Sequence, residues 1–176
     1  ENVMSHFFLM HVALANRLTY KVMWNSIHKY AQAIHFPTQF ICDYVKRYGI
    51  KPPKAYVISN GVNKIFVPNK KEKPEQYKDK FVIMMSGRYS KEKNQKLLLK
   101  AVRKSKYQDK IQIILAGGGP REKNLDKYSK KHLINQPCFK LFKRDELPDV
   151  INYCDLYVHT SSVEIEAISC LEAISC

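Results

Sequence analysis

Two glutamates eight residues apart, Glu164 and Glu172 in the stretch SSVEIEAISCLEAISC, have the type and spacing to do chemistry. On a helix that separation is about 80° of rotation and about 12 Å of rise, so one carboxylate stands at the helix mouth and the other two turns deeper on a similar side. Acceptors so placed suit hydroxyl groups at opposite ends of an extended ligand. The pentapeptide EAISC occurs twice there, six residues apart. Its copies are rotated by about 240° and form no common face, and one and a half copies are too few for a repeat architecture. A thiol metal site fits poorly, because Cys170 and Cys176 diverge and no histidine sits beside them in sequence.

Cations and glycines gather in two further stretches. GRYSKEKNQ offers Arg88 and, five residues later, Lys93, close to a predicted helix start. A planar guanidinium fork and an ammonium beside free amide N–H groups form a receptor for a diphosphate; the plainer alternative is a surface arginine after a turn. AGGGP, residues 116–120, lets a ligand approach the backbone, because glycine lacks a side chain and tolerates positive φ. No Gly-Lys-Ser/Thr follows and the G-x-G-x-x-G spacing is absent, so a plain tight turn is an equal reading.

These residues need elements to position them. From residue 55 the chain alternates short apolar runs with helical spacing. AYVISNG, FVIMMSG, IQIILAGGG, CFKLF and DLYVHT read as strands beginning at Ala55, Phe81, Ile111, Cys138 and Asp155. KNQKLLLKAVRK, REKNLDKYSKKH and DELPDVINYC read as helices, and another begins near Glu166. The alternation predicts an α/β fold with a parallel sheet covered on both faces, whose ligands bind beyond the carboxyl ends of the strands. The first 50 residues differ: Phe7, Met10, Leu14 and Leu18 recur about one helical turn apart, and AIHFPTQFICDYVKRYGI reads as a buried strand, a corner at Pro37 and Thr38, and a helix stopping at Gly49.

Composition bounds the rest. With 45% hydrophobic and 26% charged residues, 176 residues can bury a core for one domain or slightly more. No apolar run approaches the ~20 residues of a membrane span, and no signal-peptide pattern opens the chain. Five cysteines, odd in number and without C-x-x-C, suit reduced thiols in a cytosolic protein. Thirty Lys and Arg against sixteen Asp and Glu leave +14, which attracts phosphates, anionic membranes or nucleic acid. Lysines cluster in residues 69–80, 104–110 and 126–132, each equally readable as a solvated face.

Taken together, ISNGVNKIF, SGRYSKEKNQKLLLKAV, IILAGGGP and DLYVHTSSVEIEAISCLEAIS resemble, in order and spacing, the C-terminal half of GT4 retaining glycosyltransferases. That resemblance implies the GT-B architecture of two facing Rossmann-like domains, with residues 1–54 as the end of the acceptor domain and 55–176 as an incomplete nucleotide-sugar donor domain. It places the E-x7-E motif on Glu164 and Glu172. Arg88 and Lys93 would hold the diphosphate. Glu164 and the backbone of Ile165, Glu166 and Ala167 would hold the sugar and phosphate, and Glu172 the ribose. Gly87 belongs to the donor-binding set, Gly118 and Gly119 would leave room for the donor, and Leu141, Phe142 and Lys143 would flank the base. Where many relatives have a glycine-aromatic-glycine turn, this chain has Ile165, Glu166 and Ala167.

The variants GRYSKEKNQ and VEIEAISCLEAIS are similar in particular to bacterial enzymes that glucosylate membrane lipids. The expected function is transfer of glucose from UDP-glucose to a diacylglycerol or sterol hydroxyl, without metal, since no Asp-x-Asp occurs. The expected partners are a nucleotide sugar, a lipid acceptor and an anionic membrane, with no nucleic acid; the expected place is the cytoplasmic face of the membrane. Phe7, Phe8, Lys21, Trp24 and Lys29 would dock there, unless those aromatics are core. Two rivals remain at this stage: a hexosyltransferase of capsular polysaccharide or lipopolysaccharide assembly, and a non-catalytic basic module binding membranes or nucleic acid. The family's early glycine-rich loop and histidine have no counterpart here, as His6, His11, His28 and His35 do not match that position. The chain is therefore expected to be a fragment, inactive alone.

Overall fold

The computed structural model describes Leu18, Val22 and residues 30–47 and 53–176. The expectations for the other N-terminal residues and for a helix stop at Gly49 lie outside them. The chain divides into two compact units between Asn60 and Gly61.

In the first unit, β1 (Ile34–Phe36) pairs in parallel with β2 (Ala55–Val57), and α1 (Gln39–Arg47) lies between them in sequence. The corner before α1 forms because the Thr38 hydroxyl accepts the Ile41 N–H at 3.2 Å, capping a helix start. Phe36 and Cys42 are buried. The strand at Ala55 was expected to open the second domain. It belongs to the first unit instead, because its backbone partners lie upstream: Ile34 N–H donates to Lys54 O at 2.8 Å and Ile58 N–H to Phe36 O at 3.0 Å. The division therefore falls after Asn60 rather than at residue 54.

The second unit is built on a parallel four-stranded sheet of order β5-β4-β3-β6, with β3 Phe81–Ser86, β4 Ile111–Ala116, β5 Cys138–Lys140 and β6 Leu156–Tyr157. Its helices are α2 (Gln95–Lys104), α3 (Glu122–His132), α4 (Leu147–Tyr153) and α5 (Ile168–Ser175). Successive strand residues point to opposite faces, and both faces are apolar, as a sheet covered on both sides requires. Ile83, Met85, Ile113 and Leu115 pack with Leu98, Leu99 and Val102 of α2 and Leu125 of α3. Val82, Met84, Ile114 and Ala116 pack with Phe66 and with Val150 and Ile151 of α4. Burial of each of these Val, Leu, Ile, Met and Phe side chains stabilises the unit by about 1.5–3 kcal/mol.

The lysine-rich stretch 69–80 is only partly a solvated loop. Lys73 Nζ donates to Asp155 Oδ2 at 2.6 Å and to Lys80 O at 3.0 Å, while the same carboxylate oxygen accepts Val82 N–H at 2.7 Å. This ties the start of β3 to the residue before β6. All five cysteines are free thiols; burial, then the Asp155 charge, pushes Cys154 up to about 11.

At the carboxyl end of the sheet the loops interlock. Gly87 N–H donates to Ala116 O, Tyr89 N–H to Gly118 O and Gly117 N–H to Lys140 O, each at 2.9 Å. The approach is close enough to exclude side chains: a Cβ on Gly117, at φ +155°, would stand 2.2 Å from Gly87 O. At Gly119, φ +153°, it would stand 2.8 Å from Tyr89 N and O. A Cβ on Gly118 meets nothing within 4 Å. Gly117→Ala is therefore expected to lower the unfolding free energy by about 2 kcal/mol or more, while Gly118→Ala stays within about 0.5 kcal/mol of the parent. Urea unfolding of both variants measures this, and equal stabilities would show that the loops yield freely.

Candidate functional site

The interlocked loops and the start of α5 enclose a cleft of about 570 Å³ beyond the carboxyl ends of the strands. Ser86 enters at the end of β3, Gly87, Arg88 and Lys93 after it, Gly117 and Gly118 after β4, and Leu141, Phe142 and Arg144 after β5. Glu164, Glu166, Ala167, Ser169 and Glu172 complete it.

The segment between β3 and α2 is held from beneath. Gln95, 2% exposed, donates its side-chain N–H to Arg88 O at 2.8 Å. Asn94 takes a left-handed turn at φ 53° just before α2. From across the cleft, Thr160 Oγ1 lies 3.0 Å from the carbonyls of both Lys93 and Asn94, and Ser162 N–H donates to Glu92 O at 2.8 Å. Residues far apart in sequence are thus fixed as one surface.

Lys93 donates to Glu164 in an ion pair whose two side chains are only about a quarter exposed, 25% and 24%. His159 Nε2 lies 3.0 Å from the same oxygen without the alignment of a hydrogen bond. Burial pushes the Glu164 carboxyl up, but the hydrogen bond and charge of Lys93, with His159 adding to them, outweigh it and hold the group below the usual carboxylate range.

Glu172 is 4% exposed. Arg144 Nη2 stands 2.5 Å from Glu172 Oε1, again without hydrogen-bond alignment, and the guanidinium lies 4.8 Å from the centre of the Phe66 ring. A buried carboxylate is costly unless paired. Arg144 supplies the charge while leaving the oxygen open to a better-aligned donor. The cleft can therefore receive an anion at Arg88 and Lys93 and hydroxyl groups at the two carboxylates.

Of the residues expected from sequence, Gly87, Arg88, Lys93, Gly118, Leu141, Phe142, Glu164, Glu166, Ala167 and Glu172 all line this cleft. Three do not. Gly119 is packed on the Tyr89 backbone, Lys143 is exposed with its N–H donating to Glu146 Oε2 at 2.7 Å, and the Ile165 side chain is exposed. The helix expected near Glu166 begins at Ile168. Sequence reading passed over Arg144 and His159. The signal for Arg144 was a lone arginine just after β5; for His159 it was a polar ring ending the apolar run DLYV.

Chain and comparisons agree on the family. Residues 66–176 match the family of glycosyl transferases group 1, and the chain belongs to it. No curated protein matches the chain. Among solved structures it is similar to the catalytic domain of cholesterol-alpha-glucosyltransferase from Helicobacter pylori, with 46% identity over 53% of this chain and 58% of that one, TM-score 0.49. Anabaena Alr3699/HepE, solved with UDP and glucose, shares 22% identity over 91% of this chain and 46% of that one, TM-score 0.76. The C-terminal domain of a group 1 glycosyl transferase from Francisella tularensis shares 26% identity over 65% of this chain and 66% of that one, TM-score 0.56. The chain thus spans about half the length of the first two of these. The expected α/β fold with a Rossmann-like parallel sheet is the one found, and it is that of GT-B glycosyltransferases.

The depressed Glu164 gives a pH signature. Its folded value lies below its unfolded one, so the stability contributed by the pair is complete above about pH 4.5 and is lost as pH falls through the lower folded value. Glu164→Gln is expected to lose less stability than the parent between about pH 6 and about pH 3. Urea midpoints at both pH values check this, and parallel acid losses would mean the pair adds nothing to folding.

Proposed function

We propose that the complete protein is a retaining glycosyltransferase that moves glucose from UDP-glucose to a membrane-lipid hydroxyl, diacylglycerol or sterol, with the second unit as donor domain and the first as the end of the acceptor domain. The observation that carries this reading is the convergence on one cleft of Arg88, Lys93, Glu164 and Glu172 from separate loops of a group 1 glycosyltransferase fold. The lipid acceptor rests on the resemblance of GRYSKEKNQ and VEIEAISCLEAIS to bacterial lipid glucosyltransferases.

In this mechanism the donor's diphosphate takes Lys93 from Glu164 and adds Arg88. Glu164, released, accepts hydrogen bonds from the sugar, while the α5 N-terminus with Glu166 and Ala167 faces the phosphates. As the acceptor hydroxyl oxygen bonds to the anomeric carbon and the bond from that carbon to the diphosphate breaks, negative charge grows on the leaving oxygen, which takes the acceptor's proton. Arg88, Lys93 and the helix dipole stabilise it without a metal. Glu172, still paired with Arg144, accepts hydrogen bonds from the ribose hydroxyls, and Leu141 and Phe142 flank the base. The two carboxylates hold hydroxyls and do not flank one bond, so they are no glycosidase pair. The enzyme works at the cytoplasmic face of a bacterial membrane. The docking residues Phe7, Phe8, Lys21, Trp24 and Lys29 lie outside the described residues, and among the described residues no helix is long and apolar enough to cross a membrane.

The test offers UDP-glucose and other nucleotide sugars separately to the full-length protein in vesicles containing diacylglycerol or cholesterol, with new glycolipid followed by mass spectrometry. Glycolipid forms from UDP-glucose. Glu172→Ala lowers kcat/KM by about 10- to 100-fold, the worth of charge-assisted hydrogen bonds of about 1.5–3 kcal/mol, and Lys93→Ala costs about 100-fold or more. UDP release only with soluble saccharide acceptors would move the reading to polysaccharide or lipopolysaccharide assembly, and silence with both would overturn it.

A further inference from the structure

Helices α2 and α3, which cover one face of the second unit's sheet, line a groove of about 330 Å³ that shares no residue with the cleft. Lys96 enters it from α2, Arg121 from the residue before α3, and Lys127, Tyr128, Lys131 and His132 from α3 itself. The sequence run DKYSKKH, readable as a solvated helix face, is therefore partly a concave wall.

Three observations set this groove apart from an ordinary basic surface. First, among the described residues none of Lys96, Arg121, Lys127 and Lys131 has a carboxylate within ion-pair distance. Of the two acids of α3, Asp126 is taken by Lys130 at 2.7 Å, and Glu122, beside Arg121 in sequence, makes no ion pair with any of the four. Second, one cation is mounted rather than free: Lys96 Nζ lies 5.1 Å from the Tyr128 ring centre and that ring packs at 4.5 Å on His132, while the backbone N–H of Arg121 donates to Tyr89 O at 3.2 Å and fixes the start of α3. Third, His132 is held below its ordinary pKa by desolvation and by the charges of Arg103, Lys131 and Lys96. The local field already repels one more positive charge.

We propose that this groove is a second anion site, separate from the cleft, that takes a phosphate group carrying close to two negative charges. The Arg121 fork matches two phosphate oxygens, and the lysines act as point charges around the third. The volume lies at the lower end of small-ligand sites, about 300–1,000 Å³, and suits one phosphate with its ester substituent rather than a nucleic-acid track. The phosphate comes either from a soluble phosphate ester or from a lipid headgroup. This proposal does not depend on the chemistry assigned to the cleft.

The test is lysine-acetylation footprinting of the full-length protein by mass spectrometry. The probes are inorganic pyrophosphate, vesicles of phosphatidic acid in phosphatidylcholine, phosphatidylcholine vesicles as control, and RNA. At tenfold saturation, labelling of Lys96, Lys127 and Lys131 slows about tenfold, the ratio of occupied to empty sites. Protection by pyrophosphate supports the site with a soluble ligand; protection by phosphatidic acid vesicles alone supports it with a headgroup. Reversal of Lys96, Lys127 and Lys131 to Glu abolishes binding, whereas reversal of the exposed Lys64, Lys70 and Lys110, the same change of charge elsewhere, leaves it intact. Equal loss in both variants overturns the site, as does absence of protection by either probe or protection by RNA alone. If the groove variant fails to fold, the footprint of the unaltered protein decides.

Discussion

Two backbones pass closer than a side chain allows, at Gly117 against Gly87 and at Gly119 against Tyr89, and the cleft depends on that contact. It carries the hydrogen bonding of the sheet past the ends of β3, β4 and β5 into their loops. Arg88 is set on the rigid side of that crossing, and its carbonyl is gripped by buried Gln95. Thr160 and Ser162 then pin the following segment to the loop after β6. Because the strand order is β5-β4-β3-β6, these anchors meet although sequence separates them widely. A site made from four loops is thereby held as firmly as the sheet beneath it.

Much of this was legible in the residues. FVIMMS and IQIILA are continuous apolar runs because both faces of β3 and β4 are covered, and they fold as the strands they predict. The glycine triplet marked a close approach, but composition could not say against what. Gly118 faces open space in the cleft, whereas Gly117 and Gly119 are small because backbone lies against them. AYV has the texture of any strand, and only its partner reveals that it belongs with β1. Arg144 escaped notice for a related reason. Its importance lies in Glu172 and Phe66, which are remote in sequence and adjacent in space.

The excess of positive charge is likewise not one property but several. Lys73 is structural, closing on the carboxylate that also caps the start of β3. Lys93 and Arg144 belong to the cleft and are already matched to glutamates there. The cations between α2 and α3 have no such match among the described residues. Net charge read from sequence averages these three situations into a single number.

The prior pairing of the cleft has a thermodynamic consequence. Lys93 rests on Glu164 and Arg144 on Glu172, so two of the three cations of the cleft carry their own counterions. In the proposed reaction a diphosphate would take Lys93 from Glu164 and also meet Arg88, which makes no ion pair among the described residues, so only part of its binding is an exchange of one charge contact for another. The exchanged part would release few mobile ions and depend little on ionic strength, whereas the contact with Arg88 would be screened. Cations balanced only by the anions of the medium behave oppositely, because every ion added screens or competes with the ligand. If both proposals hold, dissolved salt weakens binding between α2 and α3 more than binding in the cleft.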